Sequence, residues 1–271
     1  SVPARRAFVI DVRSLAAGEE TAWDETVRSA GGLLYHSTAY RDLLLDHLGC
    51  EAEYLVAERN ETIEGVLPMM WSIGPAGRVL NSLPFYGSHG GPVAATAEAR
   101  TALLAAWNER AADGETIAAT LVESPFGETQ AAEPVHTHAD QRISQVTTLP
   151  ADADRDRIVE LIDSSARRNV RKADRAGFGI ERDAAALPDL WRIHDANMKA
   201  IGGVPKPISF FEAVPRHFRE GETFDVWVAR LDERVTAGLL VFYFNGIAEY
   251  FTPAVEHDRR PDQPLASILV E

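Results

Sequence analysis

Two stretches of this chain repeat one pattern about 172 residues apart. Tyr54-Leu55-Val56-Ala57-Glu58-Arg59-Asn60-Glu61-Thr62-Ile63-Glu64-Gly65-Val66-Leu67 is echoed by the segment from Val226 to Leu240. Each reads as a strand, an acidic turn, and a second strand with a glycine near its start. The offset is 172 at Ala57/Ala229 and 173 at Gly65/Gly238, so one inserted residue aligns the copies. Duplication of one α/β unit is the simplest account. It predicts two lobes, residues 1–150 and 151–271, each long enough to bury its own core.

The flanking periodicities agree with a mixed α/β (α+β) chain. In the first half, strands are expected over 7–12, 53–58, 63–71, 78–85, 116–123 and 141–149. Helices are expected over 21–30, 38–47 and 96–112, and a loop over 124–140. In the second half, one helix is expected over 156–176, stopped by Gly177, then helices over 188–201 and 209–218. A three-strand meander over 224–231, 235–244 and 247–254 turns at Asp232-Glu233 and at Asn245-Gly246. A last helix begins near Leu265, and the sequence stops inside it at Glu271. The second lobe is therefore expected to be truncated.

Charge narrows the partners. The chain carries 27 Lys+Arg against 41 Asp+Glu, a formal net charge of −14. Such acidity argues against an extended DNA or RNA footprint, which needs clustered cations. No apolar run reaches the ~20 residues of a membrane helix. A single cysteine, Cys50, excludes an intramolecular disulfide and a cysteine-based structural zinc site, and the eight histidines show no metal-ligand spacing beyond His136-Thr137-His138 in an expected loop. No metal is expected, and a cytoplasmic setting is.

Four groups of residues could carry chemistry. Arg168, Arg171, Lys172 and Arg175 fall at i, i+3, i+4 and i+7 and share one helix face. Such a stripe either clamps phosphate, which the planar guanidinium suits, or is a solvated face paired with carboxylates. All three lysines lie between residues 172 and 206. Asn197, Lys199 and Lys206 flank a Gly-Gly-Val-Pro loop that could close over an anionic substrate or simply sit in solvent. Tyr86, Ser88 and His89 occupy a glycine-rich loop, either a close approach for a ligand or a tight turn. Glu249 and Tyr250 lie on the last strand, with Tyr250 and Thr252 expected on one face and Glu249 and Phe251 on the other. A base or an orienting group could come from there.

These stretches together resemble the FemAB/FemX-type acyltransferases, which are built as two GNAT-like (Gcn5-related N-acetyltransferase-like) units in tandem. The likeness runs through Leu80-Asn81-Ser82-Leu83-Pro84-Phe85-Tyr86-Gly87 to Gly90-Gly91-Pro92, then Arg168-Asn169-Val170-Arg171-Lys172-Ala173 to Gly177, and Phe210-Phe211. It continues through Ala237-Gly238-Leu239-Leu240 with Glu249-Tyr250-Phe251, and through Pro264-Leu265 with Glu271.

The resemblance implies a transferase that moves an activated acyl or aminoacyl group to an amine. The donor, aminoacyl-tRNA or acyl-CoA, would be a co-substrate, with no tightly bound cofactor. The acceptor would be a small molecule or a phosphate-bearing cell-wall precursor. The acidity argues against extensive tRNA contact, so recognition would be mostly of the acceptor end. The resemblance also implies a cleft between the two units with Arg168, Arg171 and Lys172 near acidic substrate groups. Lys199, Lys206, Tyr86, His89 and Asn197 would assist binding, and Glu249 and Tyr250 would serve the chemistry. Alternatives on the same fold are acetyl-CoA-dependent N-acetylation and a non-catalytic binding module. One departure stands out. The loop Asp258-Arg259-Arg260-Pro261-Asp262-Gln263-Pro264 lacks the glycines of an acetyl-CoA pyrophosphate loop, and its prolines lack N–H donors.

Overall fold

The computed structural model describes residues 9–82, 85–126, 133–151 and 154–271. Contacts divide the chain into two compact units, residues 1–144 and 145–271.

The N-terminal unit runs β1 (Asp11–Ser14), α1 (Glu20–Ser29), α2 (Thr38–Leu48), β2 (Glu51–Arg59), β3 (Thr62–Gly74), β4 (Gly77–Asn81), β5 (Val93–Ala94), α3 (Ala97–Ala111) and β6 (Thr116–Thr120). Its sheet has the order β1-β2-β3-β4-β6, with β5 on β3. Alternation along β2 decides the layers. Leu55 and Ala57 point to α3, where Leu103 and Trp107 complete one core. Tyr54 faces the other way, and its ring lies 4.8 Å from that of the fully buried Trp23 on α1.

The C-terminal unit runs α4 (Arg155–Leu161), α5 (Ser164–Ala176), β7 (Gly179–Arg182), α6 (Leu187–Ala200), α7 (Ile208–His217), β8 (Phe224–Leu231), β9 (Arg234–Phe244), β10 (Ile247–Val255) and α8 (Pro264–Ile268). Its sheet order is β10-β9-β8-β7. Ala237, Leu239 and Val241 pack with Ile268 of α8. The opposite face carries Gly238, where a Cβ would come within 3.2 Å of Leu190 on α6.

The repeat is deeper than the sequence offset indicates. Ala57 pairs with Gly65, and Ala229 with Ala237, so the hairpins register at a constant 172. Both also carry a bulge at the same place, after Ala57 and after Ala229. Their turns match as well: Asn60 and Glu61 have φ of 50° and 63°, and Asp232 and Glu233 have 49° and 64°. No inserted residue is needed. The glycines that look equivalent serve opposite faces. Gly65 lies where a Cβ would come within 3.0 Å of Leu103 on α3, whereas Gly238 admits α6.

Several expected elements differ. The helix over 156–176 is two helices, because Asp163 accepts from Ser165 N at 2.7 Å and Ala166 N at 2.9 Å and so caps a new start. Residues 141–149 form no strand; they have no ladder partner, and Ile143 is 95% exposed. β7 was not anticipated, since Gly179–Arg182 is too short to show alternation. Residues 7 and 8 of the first expected strand, Leu83 and Pro84 of another, and 127–132 of the expected loop lie outside the described residues.

Two buried histidines set a pH dependence. His36 is fully buried, accepts from Leu33 N at 3.2 Å on Nδ1, and turns Nε2 to the Gly90 carbonyl at 3.0 Å. Burial pushes its pKa down from 6.5 to about 4. His194 is pushed down from 6.5 to about 4, first by burial and then by Lys206. Both values lie below that of an unfolded histidine, so the unfolded chain takes up protons first as pH falls. The stability each contributes is complete above pH ~6.5 and is lost between there and pH ~4. The unfolding free energy from urea melts should fall from pH 7 to pH 5, by about 2 kcal/mol for each histidine, and the midpoints should fall with it. Midpoints unchanged over that range would contradict neutral buried imidazoles.

Candidate functional site

The C-terminal unit has a cavity of about 330 Å³ at the outer edge of β10. Its walls come from the end of α6, from β10, and from the connection between β10 and α8. Asn197, Tyr250, Arg260 and Gln263 bring polar groups to it, and Pro253, Val255 and Leu265 supply apolar wall.

Local rules explain how each group arrives. β10 is bulged at Phe251: Tyr250 lies opposite Val241 and Thr252 opposite Leu240. Directly opposed residues share a face. Thr252 therefore joins Glu249 on the α6 and α7 face, whereas alternation placed it with Tyr250. A bulge that re-aims side chains is invisible to a period of two. The bulge is held by aromatic packing. Phe251 stacks on Phe210 at 5.7 Å and meets Phe242 edge-on at 5.0 Å. Tyr250 stays half-exposed at the cavity, and partial burial raises its pKa.

The connection leaving β10 is pinned at its start. Glu256 receives Arg192 at 2.9 Å and Arg234 at 2.6 Å. A 3-10 turn over His257–Asp262 follows, then Gln263 at φ 61° and Pro264 at the first position of α8. Arg260 Nη2 donates to Asn197 Oδ1 at 3.0 Å, and Gln263 Nε2 donates to the Arg260 carbonyl at 2.9 Å.

The remaining expected site residues fall elsewhere. Arg168, Arg171, Lys172 and Arg175 are exposed on α5, and only Val170 and Ala173 of that helix are buried. The face is set by α4 and α8: Arg155 of α4 joins Asp174 and Glu271, each at 2.7 Å, and Ser267 of α8 donates to Asp174 at 2.9 Å. Among the described residues, Arg168, Arg171 and Lys172 have no ion-pair partner. Lys199 pairs with Asp195 at 2.8 Å. The Lys206 ammonium lies 5.1 Å from the centre of the Phe251 ring, its backbone N–H donates to His194 Nε2 at 3.2 Å, and burial lowers its pKa. Glu249 is half-buried opposite Phe242 and does not line the cavity. Tyr86 and His89 belong to the other unit: the Tyr86 hydroxyl meets His47 Nε2 at 3.2 Å, and His89 Nε2 meets Ser144 Oγ at 3.2 Å. Of the ten expected site residues, the cavity brings together Asn197 and Tyr250.

Arg260 was missed. Its signal in the sequence is an Arg-Arg pair between strand and helix, in a connection whose lack of glycines argues against a diphosphate loop. Among the described residues no group of three or more His, Cys, Asp or Glu is placed to hold a metal. No helix there is long and apolar enough to cross a membrane.

Residues 163–270, which contain this cavity, match the acetyltransferase (GNAT) domain. That stretch of the chain thus carries an acyltransferase domain of the GNAT class. The chain's fold is that of the FemAB/FemX-like proteins: the crystal structure of FemX superposes with a TM-score of 0.69 over 96% of this chain and 84% of that one, at 15% identity. Two further structures are similar at lower scores. The C-terminal domain (DUF2156) of a protein assigned as a lysylphosphatidylglycerol synthetase from Agrobacterium fabrum gives 0.47, at 13% identity, over 93% of this chain and 74% of that one. A conserved protein of unknown function from Enterococcus faecalis V583 gives 0.41, at 11% identity, over 97% and 62%. No curated protein matches the chain.

A GNAT domain implies acyl-CoA, whose diphosphate calls for a run of free backbone N–H groups. The connection does not fit that demand. Pro261 and Pro264 have no N–H, Arg259 N donates to the Glu256 carbonyl at 2.9 Å, and Gln263 N donates to the Arg260 carbonyl at 3.2 Å.

Proposed function

We propose that this protein transfers an aminoacyl or acyl group from an activated ester to an amine on a phosphate-bearing acceptor, a cell-wall precursor being the class that the FemX likeness favours. The cavity at the β10 edge carries the proposal. Its polar lining is rich in N–H and O–H donors, holds no carboxylate, and lies within the matched domain. Donors aimed into a partly enclosed site stabilise the oxyanion that forms when an amine attacks an ester. The Tyr250 hydroxyl and the Asn197 amide serve that role. The donor is already activated, so positioning supplies much of the remaining acceleration. Glu249 and Lys206 lie beside the bulge and support acceptor orientation.

The acceptor's phosphates are assigned to Arg168, Arg171 and Lys172, assisted by Lys199. An aminoacyl ester such as the acceptor end of aminoacyl-tRNA is favoured as donor, because the connection after β10 cannot cradle a diphosphate. The likeness of residues 163–270 to an acetyltransferase (GNAT) domain supports acyl-CoA as the second reading.

Arg168→Ala with Arg171→Ala should raise KM for a phosphate-bearing acceptor about ten- to a hundred-fold, since charge-assisted hydrogen bonds are worth roughly 1.5–3 kcal/mol. Both side chains are exposed, so the thermal midpoint should hold. Steady-state transfer of a labelled group, from an aminoacyl ester and from an acyl thioester in parallel, checks both halves of the reading. An unchanged KM in the double variant removes the clamp. No turnover of either donor removes the transferase reading.

A further inference from the structure

The cavity's one cation committed to no carboxylate is Arg260. We infer that the side chains of Arg260 and Asn197 form a clasp for a single phosphodiester, and that the site discriminates against a diphosphate. The inference rests on the reading of this cavity as the donor site.

Four observations converge on it. The exposed guanidinium is tethered through one of its five N–H groups to Asn197 Oδ1 at 3.0 Å, which leaves the rest of its planar donor set and the Asn197 amide N–H groups for a ligand. The backbone carrying Arg260 is fixed on both sides, by Glu256 with Arg192 and Arg234 and by Gln263 on the Arg260 carbonyl. The neighbouring Arg259 is already matched to Asp258 at 3.7 Å and Asp262 at 3.8 Å, so Arg260 is the guanidinium of this turn that no carboxylate holds. Among the lining residues there is no carboxylate to repel an anion. One guanidinium balances the single charge of a phosphodiester. A diphosphate brings more negative charge than the clasp can match, and the prolines and the 3-10 turn withhold the N–H groups that would make up the difference. The cavity, about 330 Å³, has room for one small ring system beside that phosphate.

The test is a binding titration of the full chain with two probes. Cytidylyl-(3′→5′)-adenosine carries one phosphodiester, and coenzyme A carries a diphosphate and a 3′-phosphomonoester, each with more than a single negative charge. The unmodified protein should bind the dinucleotide more tightly than coenzyme A. Arg260→Gln should weaken dinucleotide binding about ten-fold or more, and Arg260→Lys should fall between, because an ammonium keeps the charge but not the planar fork. Melting curves of both variants should overlay that of the parent. Tighter binding of coenzyme A, dinucleotide affinity within two-fold in Arg260→Gln, or no binding of either probe would each overturn the clasp. If the dinucleotide depends on Arg260 but no donor is ever turned over, the clasp stands and the transferase reading falls. If transfer proceeds and Arg260 is irrelevant to it, the reverse holds.

Discussion

Phe210→Ala is expected to cost the C-terminal unit about 3–5 kcal/mol, the usual range for deleting a fully buried ring. That is a large part of the 5–15 kcal/mol by which domains of this size are stable. Phe210 is completely buried, stacks on Phe251 at 5.7 Å, and meets Phe211 edge-on at 5.5 Å. The loss should reach the site as well as the core. Phe251 is the bulged residue of β10, and its neighbour Tyr250 lines the cavity. Without the Phe210 ring beneath it, the bulge loses the contact that aims Tyr250. Denaturant melts should show the fall in stability. Transfer by the fraction still folded should also drop, with kcat more affected than KM. A small stability loss with normal transfer would show that the stack neither anchors the core nor holds the bulge.

Much of the fold was legible because it follows from periodicity and turn chemistry. The Asn245-Gly246 turn forms as expected, with φ of 51° and 74°. The helix expected over 96–112 is Ala97–Ala111, capped by Thr96. The hairpin echo was visible at Ala57 and Ala229, although sequence alone chose the wrong glycine pairing, since only ladder partners reveal which face a residue serves. What escaped depends on departures from period. Asp163 divides a run of good helix formers by capping, and the bulge at Phe251 shifts Thr252 across the sheet. The cationic stripe on α5 was read correctly as one face, because i, i+3, i+4 spacing fixes that. What it faces was not readable, because Asp174, Arg155 and Ser267 set the helix's roll through tertiary contacts. The site itself was the least legible part. Asn197 and Arg260 are 63 residues apart in sequence, and no local pattern announces a hydrogen bond across that distance.

In the proposed transfer the activated acyl donor lodges in the cavity beside β10. Asn197→Trp tests it most directly. Asn197 is partly exposed on α6, so a larger side chain can be carried without rebuilding the core, and the indole would fill the space between Tyr250 and Arg260. Single-turnover transfer from a labelled aminoacyl ester should fall at least about a hundred-fold, a loss of roughly 2.7 kcal/mol of transition-state stabilisation, while the far-ultraviolet spectrum and melting point stay those of the parent. Transfer within two-fold of the parent rate, by a folded variant with its cavity filled, would place the chemistry elsewhere in the molecule.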